Sequence, residues 1–240
     1  MSKRAAIVTG AASGIGKATV ERFADDDEHE YVVGFDVDDR VTEIDDVEGM
    51  VVDVSDYDAV MEAVTVVEEY ADVASLVGCA AISRDVWVGD LEPEEWGDLI
   101  AVNLTGQYTV ARAVGPKMYD RGEGTIVTLS SGAGQRGSVS AGVHYSASKA
   151  GILGLTKGLA KQLAPSVRVN CVVPGLIDTP LTTDSGLWTE EEIEAFTADL
   201  PIQRLGSADE VAEVIEFLSG EGGAYMTGSV VTVDGGASLS

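Results

Sequence analysis

Tyr145 and Lys149 are the residues of this chain best suited to do chemistry. They lie four positions apart in the stretch HYSASKAG, so on a helix they share one face. A phenol has a pKa of about 10 in water, and a nearby ammonium stabilises the phenolate and makes the phenol a better proton donor. Such a pair is acid–base machinery. Ser131, fourteen positions before Tyr145, adds a hydroxyl. His144 adjoins Tyr145, but the neighbouring position on a helix faces elsewhere, so it is read as a bystander.

A second group lies near the N-terminus. An apolar run ends in Thr9-Gly10-Ala11-Ala12-Ser13-Gly14-Ile15-Gly16, where a helix is expected to begin. Glycines at such a turn let the backbone approach a pyrophosphate, and the helix N-terminus favours the anion. Asp36 follows Gly16 by twenty residues, at the end of the second apolar run. A carboxylate there can bind both ribose hydroxyls of NAD and would repel a 2′-phosphate. Val37-Asp38-Asp39 adds negative charge, Ser13 is not basic, and only Arg40 offsets them. The residues favour NAD over NADP as cofactor.

These groups need a scaffold. Strand-like runs fall at Ala5–Thr9, Tyr31–Phe35, Met50–Val52, Ala74–Cys79, Thr125–Leu129, Val167–Val173 and Ser229–Val233. Most are continuous rather than alternating, as in parallel strands covered on both faces. Helical periodicity fills the intervals, at Tyr57–Tyr70, Trp96–Met118, Val143–Leu163 and Ala208–Leu218. Ser207 with Glu210 forms a capping box before the last of these. The pattern predicts an α/β chain with a Rossmann-like, doubly wound fold: a seven-stranded parallel sheet with helices on both faces, in a single domain over 1–240. One excursion, from Pro174 to Arg204, is expected to form a substrate lid at about 176–205. Within it, Thr189 and Glu192 can start a short helix carrying Ile193, Phe196 and Leu200.

Composition excludes several classes. Asp and Glu total 41 against 15 Lys and Arg, a formal charge of −26. That balance argues against nucleic-acid binding, which needs basic partners for phosphates. The acids are spread along the whole chain rather than blocked into a tail, and six of the basic residues are lysine. A domain this acidic repels itself in dilute buffer and gains from screening salt, so a halophilic adaptation is expected. No apolar run is long enough to span a membrane, and MSKRAAIVTG lacks the features of a secretory leader. Cys79 and Cys171 both lie in apolar runs and are read as reduced thiols, which implies a cytoplasmic protein. The two histidines and two cysteines show no ligand spacing, so no metal site is expected.

Taken together, TGAASGIG, Asp53-Val54 after the third strand, Asn103 in VNLTG, Ser131, the Tyr145–Lys149 pair, RVNCVVPGLIDTP and the final VDGG resemble the short-chain dehydrogenase/reductase superfamily over essentially the whole chain. The similarity is strongest to the subgroup of 3-oxoacyl-carrier-protein reductases and sugar or secondary-alcohol dehydrogenases. The resemblance implies an NAD(P)-dependent oxidoreductase that transfers a hydride between nicotinamide and a secondary alcohol or ketone. Tyr145 would be the general acid or base, Lys149 would lower its pKa and bind the nicotinamide ribose, and Ser131 would hold the substrate oxygen. Asn103 would hold a water linking Lys149 to solvent. Gly10, Ser13, Gly14, Ile15, Gly16, Asp36, Asp53 and Val54 would line the cofactor, with Ile177 and Thr179 beside the nicotinamide carboxamide. One departure stands out: Gly78-Cys79-Ala80-Ala81 replaces the family's Asn-Asn-Ala-Gly, leaving Cys79 a backbone contact to the cofactor.

The resemblance further implies a homotetramer, or a dimer, built on the long helices and last strand. Two other functions remain open: a 3-oxoacyl-thioester reductase using NADPH, acting on a carrier protein or coenzyme A thioester, and a catalytically silent NAD-binding redox sensor. Asp36 and the overall acidity argue against the first, and the intact Tyr145–Lys149 pair against the second. Arg84 and Arg136 are the nearest candidate cations for an anionic substrate, and Leu187, Trp188 and Phe196 suggest apolar contact from the lid.

Overall fold

The computed structural model describes residues 3–26, 28–183 and 186–239. Met1 and Ser2 of the N-terminal stretch, Asp184 and Ser185 of the expected lid, and Asp27 and Ser240 of the expected domain lie outside the described residues.

Period-two burial builds the sheet. Strand β1 (Arg4–Thr9) sends Ala5 and Ile7 to one face and Ala6 and Val8 to the other, and all four are fully buried. Around it pair β2 (Tyr31–Asp36), β3 (Glu48–Val51), β4 (Asp72–Gly78), β5 (Gly124–Leu129) and β6 (Val167–Pro174). Two short strands, β7 (Ile177–Asp178) and β8 (Gly206–Ser207), pair with each other, and β9 (Val230–Val233) closes the main sheet. The main sheet is parallel, in the order β3-β2-β1-β4-β5-β6-β9. Seven strands are therefore found as expected. The third lies one or two residues earlier than predicted, and the fourth ends at Gly78, leaving Cys79 just beyond it.

Helices α1 (Gly14–Ala24) and α9 (Ala208–Ser219) cover the face of Ala6 and Val8, through Val20, Phe23, Val211, Ile215 and Leu218. Helices α2 (Tyr57–Glu68), α4 (Gly106–Arg121) and α6 (Gly142–Leu163) cover the other face, with Val60, Val64, Val110, Val114 and Ala160. Burying a branched side chain of this size stabilises the fold by about 1.5–3 kcal/mol. The order reverses between β1 and β4, and in open α/β sheets ligands bind beyond the strand ends at that point.

The single helix expected over Trp96–Met118 is three pieces. Pro93 starts α3 (Pro93–Ile100), a π turn occupies Ala101–Thr105, and α4 then continues. Such turns insert a residue and re-aim the side chains around them. A short helix, α5 (Gly132–Arg136), follows Ser131, where the sequence shows no helical periodicity. In the excursion after β6, α7 (Pro180–Thr183) precedes α8 (Glu190–Ala198), which begins at the expected Thr189–Glu192 capping box. Leu200 is buried but lies beyond the end of α8. Among the described residues, no helix is long and apolar enough to cross a membrane.

Candidate active site

The turn after β1 is built by close approach. A Cβ on Gly16 would stand 2.0 Å from the Gly10 carbonyl oxygen, and one on Gly10 would stand 2.8 Å from Ala80. Gly10 also has φ +69°, a conformation that penalises side chains. The compact turn opens the N-terminus of α1 toward a cleft of about 400 Å³. Ser13 caps that helix without a side-chain cap bond, and no acid stands in its first turn. The same is true of α4, α5 and α6, whereas α2, α3, α8 and α9 carry Glu or Asp there. In so acidic a chain, the positive helix end left clear of carboxylates suits an external anion. The cradle therefore fits the pyrophosphate of a dinucleotide.

Gly10, Ser13, Gly14, Ile15, Gly16, Asp36, Asp53, Val54 and Cys79 all line this cleft, with Thr179 packed against Gly14. The Asp36 carboxylate accepts from the Ala12 and Asp38 N–H groups at 2.9 and 3.0 Å, which ties the glycine turn to β2. Each oxygen keeps a further lone pair for a ribose hydroxyl. Asp53 accepts from Ser55. Arg40 does not reach the cleft: its guanidinium is held by Asp38 at 2.9–3.0 Å. No Lys or Arg among the described residues lines this half.

A second cleft of about 430 Å³ adjoins the first, sharing Ile15, Cys79, Ala81, Leu129, Thr179 and Leu181. Ser131, Tyr145 and Lys149 line it, together with Ile177 and with Leu187, Trp188 and Phe196 from the excursion after β6. Trp188 and Phe196 pack edge to face at 5.5 Å. The neighbouring Ser130 also borders this cleft, but its buried hydroxyl donates to the Lys149 carbonyl at 2.6 Å. The Ser131 oxygen caps α5, accepting from the Ala133 N–H at 3.2 Å.

The electrostatics differ from the expected pairing. Burial pushes the Tyr145 phenol above its ordinary pKa, and Ser131 draws it back. Lys149 lies with its ammonium 5.6 Å from the centre of the Tyr145 ring, but it is not among the causes of that shift. Its own burial lowers it to about 8, countered weakly by Cys171 and Cys79. The ammonium donates instead to the Leu129 carbonyl at 3.1 Å.

Asn103 lies in the turn between α3 and α4. It is fully buried in the π turn, and its amide bonds the Ile82 N–H and carbonyl at 2.8 and 2.9 Å and the Ser148 hydroxyl at 3.3 Å. With both polar atoms spent there, it lines neither cleft and fastens the β4 loop to the helix of Tyr145 and Lys149. The Thr179 hydroxyl makes only a long 3.4 Å bond to the Ile177 carbonyl. Burial pushes the Cys79 thiol up to about 12, partly offset by Lys149 and Thr19. His144 is buried away from the cleft, and Arg84 pairs with Glu95 outside it. Among the described residues, no three His, Cys, Asp or Glu side chains are grouped to hold a metal ion.

No motif or spacing marks Gln107 in the sequence. Its side chain fills the space over Gly78, with Oε1 3.0 Å from where a Cβ on residue 78 would stand, and its Nε2 donates to the Leu129 carbonyl at 3.1 Å. The signal available was Gly78 itself, a small residue where the family carries an amide.

Comparison with known proteins agrees with the geometry. The family model described as enoyl-(acyl carrier protein) reductase matches residues 10–238. The 3-oxoacyl-[acyl-carrier-protein] reductase FabG of Thermotoga maritima is 39% identical, over 96% of each chain. The acetoacetyl-CoA reductase of Rhizobium meliloti is 35% identical, over 97% of this chain and 98% of the relative. The solved structure of Thermoplasma acidophilum aldohexose dehydrogenase superposes with a TM-score of 0.89 at 31% identity, covering 100% of this chain and 95% of its own. The chain belongs to the short-chain dehydrogenase/reductase family and is an oxidoreductase acting on CH–OH or keto groups with NAD or NADP.

Proposed function

We propose that the protein is an NAD-preferring dehydrogenase or reductase of a secondary alcohol or ketone, with Tyr145 as its proton donor and acceptor. The observation that carries this is the convergence of Ser131, Tyr145 and Lys149 on one cleft that opens into the glycine-lined cleft. When bound, the nicotinamide supplies or accepts the hydride. In the reductive direction the Tyr145 hydroxyl gives its proton to the carbonyl oxygen while Ser131 donates a hydrogen bond to that same oxygen. The phenolate left behind faces the Lys149 ammonium, which stands 5.6 Å from the ring centre. Lys149 would also bind the nicotinamide ribose, and Thr179 and the Ile177 backbone would hold the carboxamide. Asn103 acts as a positioning residue through Ile82 and Ser148.

NAD preference rests on Asp36 in a cofactor cleft with no lining cation, and on Arg40 being held by Asp38. A single domain with a lid at about 176–205, a homotetramer and a salt-adapted cytoplasmic setting belong to the same reading. The relatives named as 3-oxoacyl and acetoacetyl-CoA reductases favour a second one, reduction of a 3-oxoacyl thioester with NADPH. The deciding experiment is oxidation of NADH and NADPH with ketones and acetoacetyl-CoA in molar salt. Tyr145→Phe should lose about 10²- to 10⁴-fold in turnover while still binding NADH. Equal, slow rates for both proteins on every substrate would remove the enzymatic reading. Asp36→Ala should erode the preference for NADH, and an unchanged preference would overturn its basis.

A further inference from the structure

The chain's charge stops at the substrate cleft. Acids make up 41 of 240 residues, so any comparable stretch of surface should include several. Twenty-eight described residues line the cleft around Tyr145, and none is Asp or Glu. Two are cations. Lys149 is turned into the wall, toward the Leu129 carbonyl. The other is Arg136, at the C-terminal end of α5.

Arg136 is oriented but not consumed. Its guanidinium folds back over α5, with Nη2 3.1 Å from where a Cβ on Gly132 would stand. Among the described residues its one ion pair is to Asp234, at 3.9 Å, too long for a hydrogen bond. The Asp234 oxygens already accept from the Gly236 and Ser238 N–H groups at 3.0 and 2.8 Å. Asp234 therefore aims the guanidinium electrostatically and leaves its N–H fork for another acceptor. Gly132 directly follows Ser131, and consecutive Cα atoms are about 3.8 Å apart. The cation thus stands a few carbons' length from the oxygen site of Ser131 and Tyr145.

We propose that Arg136 anchors the substrate and that the substrate is a short oxo acid or hydroxy acid. Its carboxylate lies on the Arg136 fork, and its keto or carbinol oxygen lies between Ser131 and Tyr145. This rests on the oxidoreductase reading above and narrows its substrate class. A single planar fork matches the two oxygens of a carboxylate. A phosphate dianion would want a second cation, and Lys149 is directed elsewhere. A thioester carbonyl carries no charge to engage Arg136. The apolar wall of Leu176, Leu187, Trp188 and Phe196 takes the rest of a short carbon chain.

The test compares acetoacetate with methyl acetoacetate, which share a skeleton and differ in charge, using NADH and NADPH in molar salt. The wild type should prefer the acid. Arg136→Ala should lower the acid-to-ester ratio of kcat/KM by about 10- to 100-fold, chiefly through KM for the acid. Arg136→Lys, which keeps the charge without the fork, should fall between them, and Arg136→Gln serves if the alanine variant misfolds. An unchanged ratio in these variants overturns the proposal and leaves the oxidoreductase reading standing. So does a wild type faster with the ester, with acetoacetyl-CoA or with dihydroxyacetone phosphate than with the acid. If no carbonyl compound is turned over, the broader reading fails, and quenching of bound-NADH fluorescence by malonate decides the anchor separately. Arg136-dependent malonate binding supports it, and binding that is absent or independent of Arg136 overturns it.

Discussion

Replacing Lys149 with methionine should stabilise the protein near neutral pH. Lys149 is 2% exposed, and burial lowers its pKa from 10.5 to about 8. Below pH 8 both the folded and unfolded chains carry the ammonium, so folding bears its full desolvation cost. Between pH 8 and 10.5 the unfolded chain holds a proton that the folded chain has released, so stability rises with pH. At about 1.36 kcal/mol per pKa unit the whole gap is worth about 3 kcal/mol. About 2 kcal/mol of it should be recovered between pH 8 and pH 10.

Lys149→Met removes that charge and keeps most of the volume. The Leu129 carbonyl is not stranded, because Gln107 still donates to it. In urea unfolding at molar salt, the variant should exceed wild type by about 1–3 kcal/mol at pH 7. The difference should shrink by about 2 kcal/mol by pH 10. Cys79, Cys171 and Tyr145 have raised pKa values and pull stability downward in alkali, but they are present in both proteins. His29 and His144 have lowered values and act only below neutrality. A difference that stays constant from pH 7 to 10, or a variant less stable than wild type at pH 7, would refute the reasoning.

Gly16→Ala places a Cβ 2.0 Å from the Gly10 carbonyl oxygen, so it should abolish detectable NADH binding by fluorescence and cost about 1–3 kcal/mol of stability. Ser130→Ala should cost about 1 kcal/mol in unfolding while retaining turnover, because its hydroxyl bonds the Lys149 carbonyl. Ser131→Ala should show the reverse in kinetics, with kcat falling about 10²- to 10³-fold. Gln107→Leu loses one bond to Leu129 but also a buried Oε1 that has no partner among the described residues, so unfolding should shift by less than about 1 kcal/mol. Gln107→Ala should cost about 2–3 kcal/mol instead, through the cavity over Gly78.

The sheet was legible because burial on both faces makes each strand a continuous apolar run, as in VVGF of β2 and VASLV of β4. The capped starts of α8 and α9 were legible because Thr189–Glu192 and Ser207–Glu210 are local signals. The breaks were not. A π turn adds one residue without changing the apolar pattern, so Ala101–Thr105 read as helix. The short α5 offers too few residues for periodicity, and the β7–β8 pair joins segments distant in sequence. At the site, the Tyr145–Lys149 pair and the glycine turn show in their spacing, and Ser131 shows through the family motif. Which of Arg84 and Arg136 faces the cleft depends on tertiary partners, Glu95 for one and Asp234 for the other.

The same limit explains the Gly78-Cys79 departure. An asparagine amide at the end of β4 can brace neighbouring strands, and a glycine and a thiol cannot. With glycine at 78 there is room over the strand end, and Gln107 fills it from α4, its amide reaching the Leu129 carbonyl at the end of β5. That oxygen also accepts from Lys149. Bracing of the sheet and placement of the buried ammonium thus meet at one carbonyl. An ammonium whose burial costs about 3 kcal/mol persists in a marginally stable domain only where it does something else. Here it stands beside Tyr145 at the junction of the two clefts. The Gln107 amide, reaching across from α4, shares the acceptor that points the ammonium there.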